Sequence, residues 1–438
     1  MTTPLRAQQE IQPEEGTASP APSSDTKEEP ASVYDIVEES KAEAKAVEAE
    51  TGIEAPPEEA EAEKEKPRLP LDITTSDFVR YELRRNYENV GLPSSDLIRF
   101  RTRLGLLLTP EIGRGLSMLI AFVPQASGNW EIGGDTLDDV NLNLHEGFFQ
   151  FGDDFFQFQI GRFEMVYGEH VVIGNVDWHP TGRSFDAARV RLKKERWWLD
   201  AFVSLLAEGG TPELARGDLY FTGAYAGLGK LIDKDLILDA YALTQLRRVD
   251  FTNAIDGLAR LTLGTRVKNR HGMFDYRLEA GLQTGKNGDA TIIAGQADLE
   301  LAVNLLEDDL RLALEGAYAS GDNPNSARDE AYDQLYPTPH RWLGFADIIG
   351  PRTNIITGVF QIVGKPADRW KLYLFAHIFA RPQPDTALAG GEFDAGVIYF
   401  IAKGLMARAG YSLFLPSTQV YADDQPAHFL EVELRYDL

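Results

Sequence analysis

The chain has no cysteine among its 438 residues, which rules out disulfides and thiolate metal sites. No run approaches the ~20 consecutive apolar residues of a membrane helix. Histidines are few and scattered, at 145, 170, 179, 271, 340, 377 and 428. None forms the i, i+4 pair with a glutamate base that marks a zinc peptidase helix. Neither a phosphate-binding P-loop nor a G-x-S-x-G nucleophile elbow is present. The glycine-rich Gly223–Gly229 run lies in an alternating segment, which excludes a dinucleotide loop. No cofactor and no catalytic constellation are therefore expected. A basic footprint is missing too: the formal net charge is -25, which argues against nucleic acid.

What the chain does have divides near residue 70. Residues 1–70 carry 18 acidic and 7 basic residues and almost no aromatics beyond Tyr34. Such a segment cannot bury enough apolar area to offset its ordering entropy, so its composition predicts disorder. It reads either as a solvated acidic tether or as a periplasmic arm for a protein partner. Met1–Glu10 contain no apolar signal core, so an envelope protein of this sequence is expected to have had its signal removed.

From residue 71 to 438 the texture changes to period-two alternation. In Leu97–Leu107, Ile98, Phe100, Thr102 and Leu104 alternate with Arg99, Arg101 and Arg103. In the last run, Leu430, Val432, Leu434 and Tyr436 alternate with Glu431, Glu433 and Arg435. About 18 such runs of roughly ten residues can be counted. That length suits tilted strands crossing an apolar band of ~25 Å. The slightly negative mean hydropathy does not conflict, because only every second residue would face lipid. The expected fold is all-β: a transmembrane, antiparallel, up-and-down β-barrel.

The connections support this. Turns after even runs are tight (152–153, 195–196, 271–272, 307–308, 366–367, 403–404). Those after odd runs are long (124–139, 164–184, 208–217, 320–353, 381–392, 415–427). One-sided loops are the barrel pattern and put both termini in the periplasm of an outer membrane.

Eighteen strands enclose a water-filled channel, so inward positions should carry the function. Arg99, Arg101, Arg103, Arg189, Arg191, Arg260, Arg266, Lys268, Arg277 and Arg408 all fall there, with fewer inward acids such as Glu82, Asp275, Glu279, Glu315, Glu431 and Glu433. The wall is thus expected to be basic. These arginines either satisfy one another and nearby acids or line a path for anions. Asp177 and Arg183 of the long 164–184 connection, with Asp186 just after it, are expected to form a charged network that ties the loop into the lumen. Trp178 would anchor it by packing. A cluster at Asp135, Asp138, Asp139 and Asn141 reads as a solvated acidic loop or a calcium site.

Two stretches resemble a known family. One is Gly161-Arg162, Tyr167-Gly168, Gly174 to Trp178 and Thr181 to Asp186; the other is Ser320-Gly321-Asp322, Leu335 to Gly344 and Asp347. Together they are similar to the alginate export family of outer-membrane barrels. The resemblance implies an 18-stranded barrel with an electropositive lumen that passes an acidic polysaccharide outward. The family's long plugging turn late in the chain is replaced here by Ala402-Lys403-Gly404. Three functions remain open. The first is a passive channel for an anionic polysaccharide or oligosaccharide; the second is an uptake porin for small anionic solutes. The third is a structural barrel of an envelope complex, with residues 1–70 as the docking arm. Outer-membrane lipid is the expected surrounding in each case.

Overall fold

The computed structural model describes residues 70–113, 115–132, 138–207, 218–247 and 257–438. Residues 1–69, most of the segment expected to be disordered, and Asp135 of the acidic cluster lie outside the described residues.

Among the described residues, twenty strands form one sheet. They are β1 (Leu71–Arg85), β2 (Ser95–Leu108), β3 (Glu111–Gly113), β4 (Leu116–Glu131), β5 (Asp138–Gly152), β6 (Phe156–Phe163), β7 (Phe185–Lys194), β8 (Trp197–Ala207), β9 (Leu219–Gly227) and β10 (Ile237–Arg247). There follow β11 (Leu258–His271), β12 (Phe274–Asn287), β13 (Ala290–Leu305), β14 (Leu310–Ala319), β15 (Arg328–Asp329), β16 (Ile355–Ala367), β17 (Trp370–Arg381), β18 (Ala387–Ala402), β19 (Leu405–Pro416) and β20 (Ala427–Asp437). Only β3 and β15 are short side pieces; the other eighteen are the wall. Each pairs antiparallel with its sequence neighbours in the wall, and β1 closes on β20 with Val79 opposite Leu434 and Glu82 opposite Glu431. Closure removes both sheet edges, the condition for a sheet to sit in hydrocarbon.

The alternation follows the pleat. Along β13, Ile293, Leu299 and Leu301 face outward while Ile292, Ala294, Asp298 and Glu300 are buried inside. Outward Val79, Leu282, Leu314, Ile378 and Leu434 are all at least half exposed. In water such a surface would be a large aggregation patch; against lipid it is the expected exterior.

The turns at one end are tight. Lys403-Gly404 links β18 to β19 with Gly404 at φ 71°, where an added Cβ would lie 2.0 Å from the Asp437 carbonyl oxygen. Neighbouring turns are clipped together by Arg270, whose Nη1 donates to Asp308 at 2.9 Å.

Three boundaries differ from the expectation. The β4 strand continues to Glu131 where a loop from residue 124 was expected. Pro124 and the small residues beyond it suggest a break, but register shifts at Val123/Pro124 and Ser127/Asn129 absorb the proline and the ladder resumes. The 381–392 connection shrinks to residues 382–386 because β18 starts at Ala387. On the long-loop side, β12 and β13 are joined by the two-residue turn Gly288-Asp289.

Lipid-facing burial makes a clear prediction. Leu314→Arg, in the middle of β14, should destabilise the barrel by about 2–4 kcal/mol. Leu306→Arg, in a short turn and 71% exposed, should change stability by less than ~1 kcal/mol. Urea titration of the protein folded into lipid vesicles measures both; equal effects would contradict an outward apolar band.

Candidate pore constriction

The interior is filled at the long-loop end by two connections that fold inward. Residues 164–184 leave β6 and turn into the lumen, burying Met165, Tyr167, Val171, Val172 and Ile173 against Phe202, Phe221 and Tyr225 of the wall. Tyr167 lies parallel to Tyr225 with ring centroids 4.6 Å apart. Gly168 takes φ 57° with the Tyr225 hydroxyl so close that a Cβ would sit 2.9 Å from it. A glycine is therefore needed at that turn.

The second connection, residues 320–354, meets the first inside the barrel. Gly174 N–H donates to Tyr336 O at 2.8 Å, Tyr336 N–H to Val172 O at 3.0 Å and Thr338 N–H to His170 O at 3.0 Å. The two loops are thus joined by one parallel bridge, Ile173 to Tyr336, and a further backbone bond, which satisfy groups that would otherwise be stranded in the lumen.

Asp177 pins this plug to the wall. Its carboxylate lies 2.8 Å from Arg101, 3.0 Å from Arg103 and 2.9 Å from Arg435. Its carbonyl accepts from Arg101 at 2.8 Å. Trp178 is held between the Arg80 guanidinium, 4.0 Å from the indole centroid, and the His340 ring, stacked at 3.8 Å. His340 Nδ1 lies 3.0 Å from Asp347 of the same loop. Burial opposes the charged form of Asp347. His340 beside it, with Arg84 and Arg80 beyond, nonetheless holds that carboxyl below the usual carboxylate range.

The three charges expected to form one network are separated. Arg183 donates to Pro337 O at 2.7 Å and Gly174 O at 3.3 Å, so it joins loop to loop. Asp186 points the other way: as the second residue of β7, after inward Phe185, it must face outward, where it pairs with Arg162 at 2.7 Å. The expectation that Asp186 belongs to the constriction is corrected by this alternation.

The ten cations assigned to the lumen sit on the inner face of the wall, almost all with an acid beside them. Arg99 pairs with Glu82, Arg189 and Arg191 with Asp200, Arg260 with Asp333, Arg266 and Lys268 with Glu169, Arg277 with Asp298, and Arg408 with Glu431. Sequence reasoning missed Asp200, Asp239, Asp298, Glu300, Glu392 and Asp394, although all six occupy inward positions of their strands. Among the described residues, fourteen carboxylates are buried against eleven lysines and arginines. The interior is therefore mixed in charge, and the expected numerical excess of basic groups is not found.

Within these pairs the exposure is uneven. The Glu82 side chain is 0% exposed, while its partners Arg84 and Arg99 are 17% and 13% exposed. Asp200 is 0% exposed beneath Arg189 at 15% and Arg191 at 32%. Glu431 is 2% exposed beside Arg408 at 11%. At each of these sites the carboxylate is the more buried partner and the guanidinium the more exposed one. Two plug acids reverse this, Asp333 at 34% against 7% for Arg260 and Asp177 at 11% against 0% for Arg101, while Glu169 at 5% against 10% for Arg266 does not.

Asp177→Asn should free the plug. It leaves three guanidinium groups beside a neutral amide, the situation in which a broken buried ion pair costs about 3–5 kcal/mol. Single-channel recordings should show higher conductance and frequent transitions, with the barrel still folded by heat-dependent gel mobility. Unchanged, quiet conductance would mean that Asp177 does not hold the loop.

Comparison with known proteins extends this geometry. The family model described as "Alginate export" matches residues 92–409. No curated protein sequence matches the chain. The fold is similar to that of a BenF-like porin from Pseudomonas fluorescens Pf-5, with TM-score 0.62 at 9% identity over 84% of this chain and 98% of that one. OccAB2 of Acinetobacter baumannii gives 0.60 at 10% identity, again over 84% and 98%. OpdK of Pseudomonas aeruginosa, solved with vanillate, gives 0.59 at 12% identity over the same shares. Such identities speak for the fold alone, and that fold is the outer-membrane porin barrel. Because the family match spans most of the closed wall and both inward loops, the chain belongs to the alginate export family, and it is an outer-membrane channel protein.

Proposed function

We propose that the chain is a passive outer-membrane channel for anionic saccharides, with the long loops at the cell surface and both termini in the periplasm. On this reading residues 1–70 form an acidic periplasmic arm, and residues 71–438 form the channel. One observation supports the proposal: at the Glu82, Asp200 and Glu431 sites of the wall the more exposed partner is a guanidinium and the carboxylate is buried behind it, whereas the Arg80–Glu433, Arg277–Asp298 and Arg311–Asp275 pairs are buried on both sides. A passing carboxylate meets donors in a fork geometry that matches it, while the buried acids keep those forks in place. The net count of charges is then less important than which sign is presented. Arg99, Arg189, Arg191 and Arg408 are the residues proposed to act this way, with Arg101, Arg103, Arg260, Arg266, Lys268 and Arg277 as the more deeply buried part of the same path.

The family match favours export of an acidic polymer. A second reading, uptake of small anionic solutes, is favoured by the two loops packed inside the lumen. It is also consistent with the vanillate, a small carboxylate, named for the similar barrel OpdK. Planar-bilayer recordings decide the shared part. Under a KCl gradient the reversal potential should report anion preference, and Arg189→Glu with Arg191→Glu should move it toward cations. A cation-selective wild-type pore would remove the proposal. Block by uronic acid oligomers of graded length then separates the two readings: long oligomers that enter and block favour export, and a cutoff at one or two sugars favours uptake.

A further inference from the structure

The outer wall is not uniform around its circumference. On β13 outward apolar residues run from Ile293 to Val303, a height of about 25 Å for a tilted strand. On β6 they run only from Phe156 to Ile160, and on β7 only from Ala188 to Leu192, about 10 Å each. Immediately above them stand Arg162 and Asp186, side by side across the β6–β7 pair. Arg162 donates to both Asp186 carboxylate oxygens, at 2.8 and 2.7 Å, yet the side chains remain 42% and 54% exposed on the outward face. A half-exposed ion pair where hydrocarbon should reach is costly unless something polar covers it.

The same face carries Phe149, Phe151, Phe156 and Phe158. Phe151 lies 5.9, 6.4 and 5.8 Å, by ring centroids, from the other three. Membrane-interface belts favour Trp and Tyr, which have a polar tip for the headgroup region. Phenylalanine has none, and a cluster of four suits a dry protein contact.

We propose that this face, centred on β6 and β7, is an interface between two copies of the chain. The charges are self-complementary. A two-fold axis along the membrane normal, passing between β6 and β7, sets Arg162 of one copy opposite Asp186 of the other, and the reverse. Four ions then satisfy one another away from lipid. A patch four strands wide, from β5 to β8, and about 30 Å tall projects roughly 600 Å², the scale of one side of a standard interface. This inference concerns the exterior and stands whichever solute the pore carries.

The absence of cysteine makes the test clean. Ile160→Cys, just below the charge pair, and Leu299→Cys, on β13 seven wall strands away, are each expressed in intact outer membranes. Each is treated with a short bis-maleimide. Ile160→Cys should give a dimer band and Leu299→Cys none. Adding Arg162→Asp should reduce the Ile160→Cys dimer at least several-fold, and adding Asp186→Arg as well should restore it. Heat-dependent gel mobility confirms that every variant forms the barrel. Equal cross-linking at positions 160 and 299, or none at 160, would overturn the interface.

Discussion

Every feature described here depends on the pairing of β1 with β20. In hydrocarbon an unpaired backbone amide has no water to turn to, so a spanning sheet must have no edge. The register that joins Val79 to Leu434 and Glu82 to Glu431 completes the ladder. It also fixes which side chains face in. Arg80, Glu82, Glu431 and Glu433 come together at the seam, with Arg80 2.8 Å from Glu82 and 2.9 Å from Glu433. A slip of one residue between the two strands would turn one strand's pair of charges toward lipid and its apolar row inward. The closing contact is thus specified twice, by backbone pairing and by charge.

Closure then shapes the interior. Eighteen strands leave more space than their own side chains fill. The chain fills it with two loops and a buried electrostatic lattice. Such a lattice is a weak source of net stability, since desolvation offsets much of the attraction. Its consequence is positional: each arginine has a carboxylate or carbonyl that fixes where its fork points. Asp177 shows the principle at its densest, with guanidinium groups from β2 and β20 converging on one loop carboxylate.

How far the sequence revealed this depends on the range of the signal. Strand count, strand order and the one-sided loops were legible, because alternation and turn chemistry are local. Inward assignment of Arg101 or Arg266 was legible for the same reason. The acids Asp200, Asp298 and Glu300 sit in equally clear alternation, and counting the inward face without regard to sign would have found them. Asp186 was misplaced because it was grouped with the loop charges although it stands in the run 185–194, where the alternation that turns Arg189 and Arg191 inward turns Asp186 outward. The tie between Ile173 and Tyr336 was not legible at all. It joins segments more than 160 residues apart, and nothing in either segment marks the other.

The constriction and the low stretch of wall follow from one choice about the chain. After Phe163 the polypeptide leaves the wall and enters the lumen, and it returns only at Phe185. Residues that would have extended β6 and β7 to the height of β13 instead form the plug. The stretch around Gly174–Asp186 therefore does two things at once: it packs chain inside the barrel and ends the wall strands beside it. Arg162 and Asp186 mark the point where wall becomes plug, the last outward pair before the chain turns in. The other inward loop, residues 320–354, leaves the wall differently: its last outward pair is Tyr318 opposite Ile356, so a charged junction belongs to the β6–β7 departure and not to inward loops in general.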